Sequence, residues 1–166
     1  MTRTTLSREE ILEILDGVKD PEVPVLSVVE LGIVRDIVVD DGVTVIITPT
    51  YSGCPAMHII EQDIVAALTA QGIEPVSVKT VFSPAWTTDW MSVEAKAKLE
   101  EYGIAAPERA ASESGLVLIG RRAARPRCPY CHSANTEVRS EFGTTACKSI
   151  CYCNACRQPF EQFKAI

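Results

Sequence analysis

At 166 residues the chain holds one ordinary domain, or a small domain plus a stapled module, which excludes a single large enzyme fold. With 46% hydrophobic and 23% charged residues it can bury a core, and it is neither disordered nor collagen-like. Sixteen Lys/Arg against 22 Asp/Glu give −6, which argues against nucleic acid or an anionic membrane as partner of the whole molecule.

That balance is uneven along the chain. Residues 1–120 carry 8 basic and 19 acidic side chains and residues 121–166 carry 8 and 3, so the front is −11 and the tail +5. Two units with different electrostatic roles follow, or a basic tail lying on an acidic body. The start, MTRTTLSREE, lacks the apolar stretch of a signal peptide. No run reaches the roughly 18 apolar residues of a membrane span. The expectation is a reducing, cytoplasmic setting in which thiols stay free.

In chain order, Ser7-Arg8-Glu9-Glu10 is a capping box that opens a short helix. Ile11, Leu15 and Val18 form its apolar stripe, and Gly17 offers a left-handed stop. Asp20-Pro21-Glu22-Val23-Pro24 is a loop, because neither Pro can donate and each restricts the residue before it. Residues 33–39 and 43–48 are β-branched runs around Asp40-Asp41-Gly42, a signal for a tight antiparallel hairpin. Thr50-Tyr51-Ser52-Gly53-Cys54-Pro55 leads into a second helix with Ile60, Ile64 and Leu68 on one face, closed by Gly72. A third strand is expected over 76–82 and is broken by Pro84. Ser92 caps a third helix whose buried face is Ala95, Leu99 and Tyr102, ended by Gly103.

This order predicts an α+β chain: a small two-layer α/β sandwich over residues 1–104, a linker over 105–127 and a small β-rich module over 128–166. The linker's one ordered candidate is Gly115–Ile119.

Six of the seven cysteines fall within residues 128–156, a clustering that suits a metal site better than dispersed disulfides. Cys128-Pro129-Tyr130-Cys131 and Cys153-Asn154-Ala155-Cys156 are two CxxC pairs separated by 21 residues, one beyond the usual ribbon spacing. Cys128, Cys131, Cys153 and Cys156 satisfy tetrahedral zinc with no open position. Three short strands, over 136–142, 149–152 and 159–163, complete the ribbon pattern. A module of about forty residues has too little core to fold by burial alone, so one structural zinc is the expected staple. Iron or an iron–sulfur cluster could use the same thiolates, with Cys147 and Cys151 as nearby soft ligands or simply as packed residues. The CxxCH reading of Cys128–His132 as a haem anchor requires export, for which the start offers no signal.

Cys54 stands apart. Following Gly53 and preceding Pro55, which favours the first helical position, it is placed as the N-cap of the second helix, where orphan amides stabilise a thiolate. Such a thiol is a nucleophile or soft ligand, or else a small cap that merely packs. His58 lies one turn on, and Asp20, Glu22 and Glu30 are placed to line the loop end of the sheet beside Cys54. Trp86 and Trp90 put two large apolar rings in one loop, which covers a core edge or offers a partner surface. No Ser/His/Asp, zinc-hydrolase or P-loop arrangement is present, which leaves an independent enzyme without its machinery.

Together, Asp20-Pro21-Glu22 with Pro24, Glu30-Leu31-Gly32 with Val34, Ser52-Gly53-Cys54-Pro55 and the Pro84-to-Ser92 loop resemble the SufT-like iron–sulfur assembly domain. With Glu141-Phe142-Gly143, Cys147-Lys148 and Pro159-Phe160 in the tail, the chain from about residue 7 to its end resembles the PaaD (PaaJ) family. These proteins accompany the multicomponent phenylacetyl-CoA epoxidase of aerobic phenylacetate degradation. The resemblance implies an accessory protein that matures an iron–sulfur or di-iron centre of the oxygenase or reductase subunit. Cys54 would be the functional thiol, carrying transient iron or a cluster, and Cys128, Cys131, Cys153 and Cys156 the zinc ligands. Cys147 lies in a family-like position as an extra ligand, whereas Cys151 departs from the pattern. The alternative is a stoichiometric structural component of the epoxidase that docks through Trp86 and Trp90, and homodimerisation is compatible with both. Nucleic-acid binding through Arg121, Arg122, Arg125 and Arg127 is disfavoured by the acidic front.

Overall fold

The computed structural model of the chain describes residues 6–107 and 125–164, so the Gly115–Ile119 candidate and Arg121 and Arg122 lie outside the described residues. Within the described residues the fold is α+β, with three α-helices and two small sheets. The chain divides into two units, Met1–Trp86 and Thr87–Ile166.

In the first unit, α1 (Arg8–Asp16) starts at the expected capping box: the Glu10 amide donates to Ser7 Oγ at 3.2 Å and the Ser7 amide to Glu10 Oε2 at 2.7 Å. Its stripe, Ile11 and Leu15, is fully buried. Gly17 departs from the expected left-handed stop. Its φ of −75° is right-handed, and the chain leaves the helix by Gly17 and Val18 amides donating to Ile14 and Leu15 carbonyls.

β1 (Val34–Val39) and β2 (Val43–Ile47) pair antiparallel with a bulge between Val34 and Asp36. β3 (Val76–Thr80) then joins β2 in parallel, giving the order β1-β2-β3. A parallel neighbour needs a crossover, and α2 (Ala56–Ala70) supplies it. Val43, Val45 and Ile47 on one face of β2 are buried, as are Ile60, Ile64 and Leu68 on α2. Each such side chain contributes about 1.5–3 kcal/mol relative to exposure. The crossover brings the β2–α2 turn, with Cys54 in it, to the carboxyl end of β2.

The second unit holds more than the ribbon. After a 3-10 turn (Thr88–Trp90), Ser92 caps α3 (Val93–Glu101) by accepting from the Ala95 amide at 3.0 Å. Ala95 and Leu99 are buried, but Tyr102, expected on the same face, is 56% exposed. β4 (Ile104–Ala105) pairs in parallel with β7 (Pro159–Phe163), which pairs antiparallel with β6 (Lys148–Cys153), and β6 with β5 (Thr136–Ser140). The sheet order is β4-β7-β6-β5. The third helix, which its place in the sequence groups with the front sandwich, therefore falls with the ribbon. Gly103 makes the turn into β4 at φ +91°, and a Cβ there would stand 2.9 Å from the Tyr130 hydroxyl, so the first CxxC knuckle packs onto the end of α3.

Candidate functional site

The turn that carries Cys54 needs Gly53, whose φ of +93° other residues rarely adopt. The Cys54 amide donates to the Tyr51 carbonyl at 3.3 Å, closing the turn. Helix α2 starts one residue later than the sequence implies: Pro55 is its N-cap, with no side-chain bond, and Cys54 precedes it. The Ala56 amide still reaches the sulfur and lowers the Cys54 pKa, as does a hydrogen bond from the Tyr51 side chain. Burial nevertheless dominates, and with the charges of Glu22 and Asp20 it raises the thiol above its ordinary value of 9.0. Desolvation and the two carboxylates thus outweigh the helix-end amide, so Cys54 favours the thiol and not the thiolate expected from its position.

Asp20 is 5% exposed, and its Oδ1 accepts from the Glu22 and Val23 amides at 2.8 and 2.9 Å, which fixes the shape of the acidic loop whose charges act on Cys54. The structure therefore brings Asp20, Glu22, Tyr51 and Cys54 together. It does not bring Glu30, whose carboxylate accepts from the Ser27 amide at 2.9 Å and lies 3.9 Å from Lys19. His58 is exposed and hydrogen-bonds Gln62 at 3.1 Å. Tyr51 is not singled out by sequence reasoning, although its place three residues before Cys54 across a Ser-Gly turn is the signal that could find it. Of the two readings of the Trp loop, Trp86 takes the core edge and not the partner surface: it is 3% exposed and its indole N–H donates to the Leu31 carbonyl at 3.0 Å.

Because the folded thiol holds its proton more tightly than the unfolded chain does, Cys54 costs stability as pH rises through 9 toward its folded value. At pH 8 it should alkylate more slowly than free cysteine. Tyr51→Phe removes a donor to the thiolate and should slow alkylation further, measured as the pH dependence of the rate. A faster reaction in the variant would refute the role of the hydroxyl.

In the second unit the four expected ligands converge. The sulfurs of Cys128, Cys131, Cys153 and Cys156 all lie within 4.8 Å of one another. Cys128 and Cys156 are 3.6 Å apart, Cys131 and Cys153 3.5 Å. A tetrahedron with Zn–S of about 2.3 Å requires S···S of about 3.8 Å, so four thiolates at these spacings fit zinc. The Cys156 and Ala155 amides hold Cys153 down to about 7, while burial pushes Cys156 up to about 12. Cys147 stays outside the set, its sulfur 3.0 Å from Thr145 Oγ1, and Cys151 packs in the core with Ala105, Cys128, Cys153 and Phe160. Among the described residues no other group of three or more ligand atoms converges so closely, and Cys54 with its acids does not.

Two family models match the chain: the iron–sulfur cluster assembly protein family over residues 8–81 and the PaaD zinc β-ribbon domain over 114–164. A protein of Escherichia coli that bears the name of a 1,2-phenylacetyl-CoA epoxidase subunit is 43% identical over 95% of this chain and 92% of its own length. An Fe-S protein maturation auxiliary factor of Porphyromonas gingivalis is 36% identical over 56% of this chain and 90% of its own. Among solved structures, a conserved hypothetical protein of Thermotoga maritima is similar with a TM-score of 0.51 at 36% identity, covering 60% of this chain and 98% of that one. A domain of unknown function from Bacillus anthracis gives 0.52 at 29% identity, over 55% and 89%. Among the described residues no helix is long and apolar enough to cross a membrane.

Proposed function

This chain belongs to the PaaD family, carrying an iron–sulfur cluster assembly domain and a zinc β-ribbon in series, and we propose that it matures an iron–sulfur or di-iron centre of a phenylacetyl-CoA epoxidase oxygenase or reductase, with Cys54 as the thiol that holds iron or a cluster in transit. The observation that carries this reading is the half-buried Cys54 thiol set in the field of Glu22 and Asp20, with the Ala56 amide and the Tyr51 side chain on its sulfur. Carboxylates that make proton loss difficult make cation capture favourable, because an incoming ion replaces the proton and meets two negative charges. Among the described residues no group of three or more ligand atoms converges at Cys54, which on this reading keeps capture weak enough for release. The ribbon cysteines, in contrast, close a tetrahedron and serve structure. On this reading the protein works in the cytoplasm, beside its clients.

The test is the iron content of oxygenase and reductase subunits purified from cells that express them with wild-type protein, with Cys54→Ser, or with neither. Client iron in the Cys54→Ser cells should fall to the level seen with no factor, while the variant's own melting stays unchanged. Full client iron in those cells overturns the transfer role. One observation favours a second reading, a stoichiometric structural component: the Escherichia coli relative is named as part of the epoxidase itself. Co-purification with the oxygenase in fixed ratio, at full client iron, would establish it.

A further inference from the structure

The loop between β5 and β6 belongs to neither site described above, yet many hydrogen bonds fix its shape. Phe142, at its tip, is 66% exposed. The backbone around it is pinned from several sides. Phe142 donates to Ser140 Oγ at 3.3 Å and its carbonyl accepts from the same hydroxyl at 2.8 Å. The Gly143 amide donates to the Lys148 carbonyl at 2.7 Å. Thr144 donates to Glu161 Oε1 through its amide at 2.7 Å and its hydroxyl at 2.9 Å, and the other carboxylate oxygen meets Lys148 Nζ at 3.2 Å. Burial would raise the Glu161 pKa, but these donors hold it below its ordinary value, so the anchor stays charged.

The ring also has a cation over it. Lys164 Nζ sits 4.7 Å from the Phe142 centroid and donates to the Glu141 carbonyl at 2.9 Å, and no carboxylate pairs with it among the described residues. Nearby, Ile150 stands opposite Ser140 and Glu161, so it shares their sheet face, and is 38% exposed. On β5, Arg139 lies 5.3 Å above the Tyr152 ring and 2.6 Å from Glu137. An exposed aromatic whose backbone is already ordered loses little entropy on docking, and aromatic side chains, Phe among them, are enriched at interface cores.

We propose that this loop is a docking finger: Phe142 enters an apolar pocket on a client protein, and Lys164 meets a carboxylate at the pocket's rim. The inference rests on the function proposed above, which makes the oxygenase and reductase subunits the clients. The carboxylate rim follows from charge, since carrying the Lys164 ammonium, which no carboxylate among the described residues pairs, into an apolar contact is costly unless an anion meets it. A nucleic-acid strand could also stack on Phe142, but Arg139 and Lys148, on the strands beside it, are already paired with Glu137 and Glu161, which weakens the local attraction for a phosphate backbone.

The experiment measures binding of the full-length chain to purified, immobilised oxygenase and reductase subunits and to a single-stranded oligothymidylate. Phe142→Ala should weaken binding to one of the two subunits by about tenfold or more, with metal content and melting unchanged. Lys164→Glu should weaken it likewise, Lys164→Arg should retain it, and Cys54→Ser should bind as the wild type does. If Phe142→Ala loses its metal, Lys164→Glu against Lys164→Arg decides. Wild-type affinity in Phe142→Ala and Lys164→Glu overturns the finger, as does failure of the wild type to bind either subunit, or Phe142-dependent binding of the oligothymidylate. The two readings separate cleanly. Full client iron with Cys54→Ser, together with weak binding by Phe142→Ala, removes the transfer role and leaves the finger. Low client iron with Cys54→Ser and normal binding by Phe142→Ala does the reverse.

Discussion

Replacing Cys128 or Cys156 with serine, or withdrawing the metal with a chelator, is expected to unfold the second unit as far back as α3 and leave the first unit folded. Around the knuckles the core is a cluster of Ala105, Cys128, Cys151, Cys153 and Phe160, and two of these five belong to the four-sulfur group. So small an apolar cluster cannot offset the ordering entropy of its chain, whereas a structural zinc supplies about 10–16 kcal/mol of apparent binding free energy at neutral pH. Because β4 pairs with β7 and Tyr130 packs on Gly103, losing the knuckles removes the support of α3 and β4 as well. Limited proteolysis should then cut within residues 93–105 and 125–164 and spare residues 8–80, with hydrogen exchange reporting the same boundary. The sign with pH follows from the ligands being thiolates: protons compete with the metal, so the unit loses stability as pH falls. A chelated protein that resists protease throughout would show that the metal is dispensable for the fold.

That boundary also marks where the sequence is legible and where it is not. Within the first unit the signals are local: a capping box at Ser7, β-branched runs about Asp40-Asp41-Gly42, and a 3.6-residue stripe through Ile60, Ile64 and Leu68. Each element forms where its own residues dictate. The metal ligands are equally plain, since CxxC spacing alone brings two sulfurs together. What escapes depends on distant partners. β4 is two residues long and has no periodicity; only β7, far along the chain, makes it a strand and draws α3 into the second unit. The helix end beside Cys54 is visible in the sequence, while the proton affinity of the thiol is set by burial and by Glu22 and Asp20 on another loop. Glu30 is held by Ser27 in a turn of its own, a contact that the mere proximity of acids in the sequence does not reveal.

Trp86 is the sharpest case, and Trp86→Ala should destabilise the first unit by about 3–5 kcal/mol, as loss of a buried Trp generally does. Marginal stability of roughly 5–15 kcal/mol for a whole domain makes this a large fraction of what the unit has. Two effects combine, and they can be separated. Truncation leaves a cavity at a ring that is 3% exposed, and it orphans the Leu31 carbonyl, on a residue itself 1% exposed. Trp86→Phe keeps most of the apolar volume while removing the N–H donor, so its cost should be confined to the lost hydrogen bond and some imperfect packing, about 1–3 kcal/mol. Thermal or denaturant unfolding monitored in the first unit measures both. A surface role for the ring predicts the opposite pattern, with unchanged melting in Trp86→Ala and weakened binding to the epoxidase subunits. The hydrogen bond to Leu31 decides between them, because a ring tied by its nitrogen to a buried carbonyl cannot also be presented to a partner without first breaking the fold that holds it.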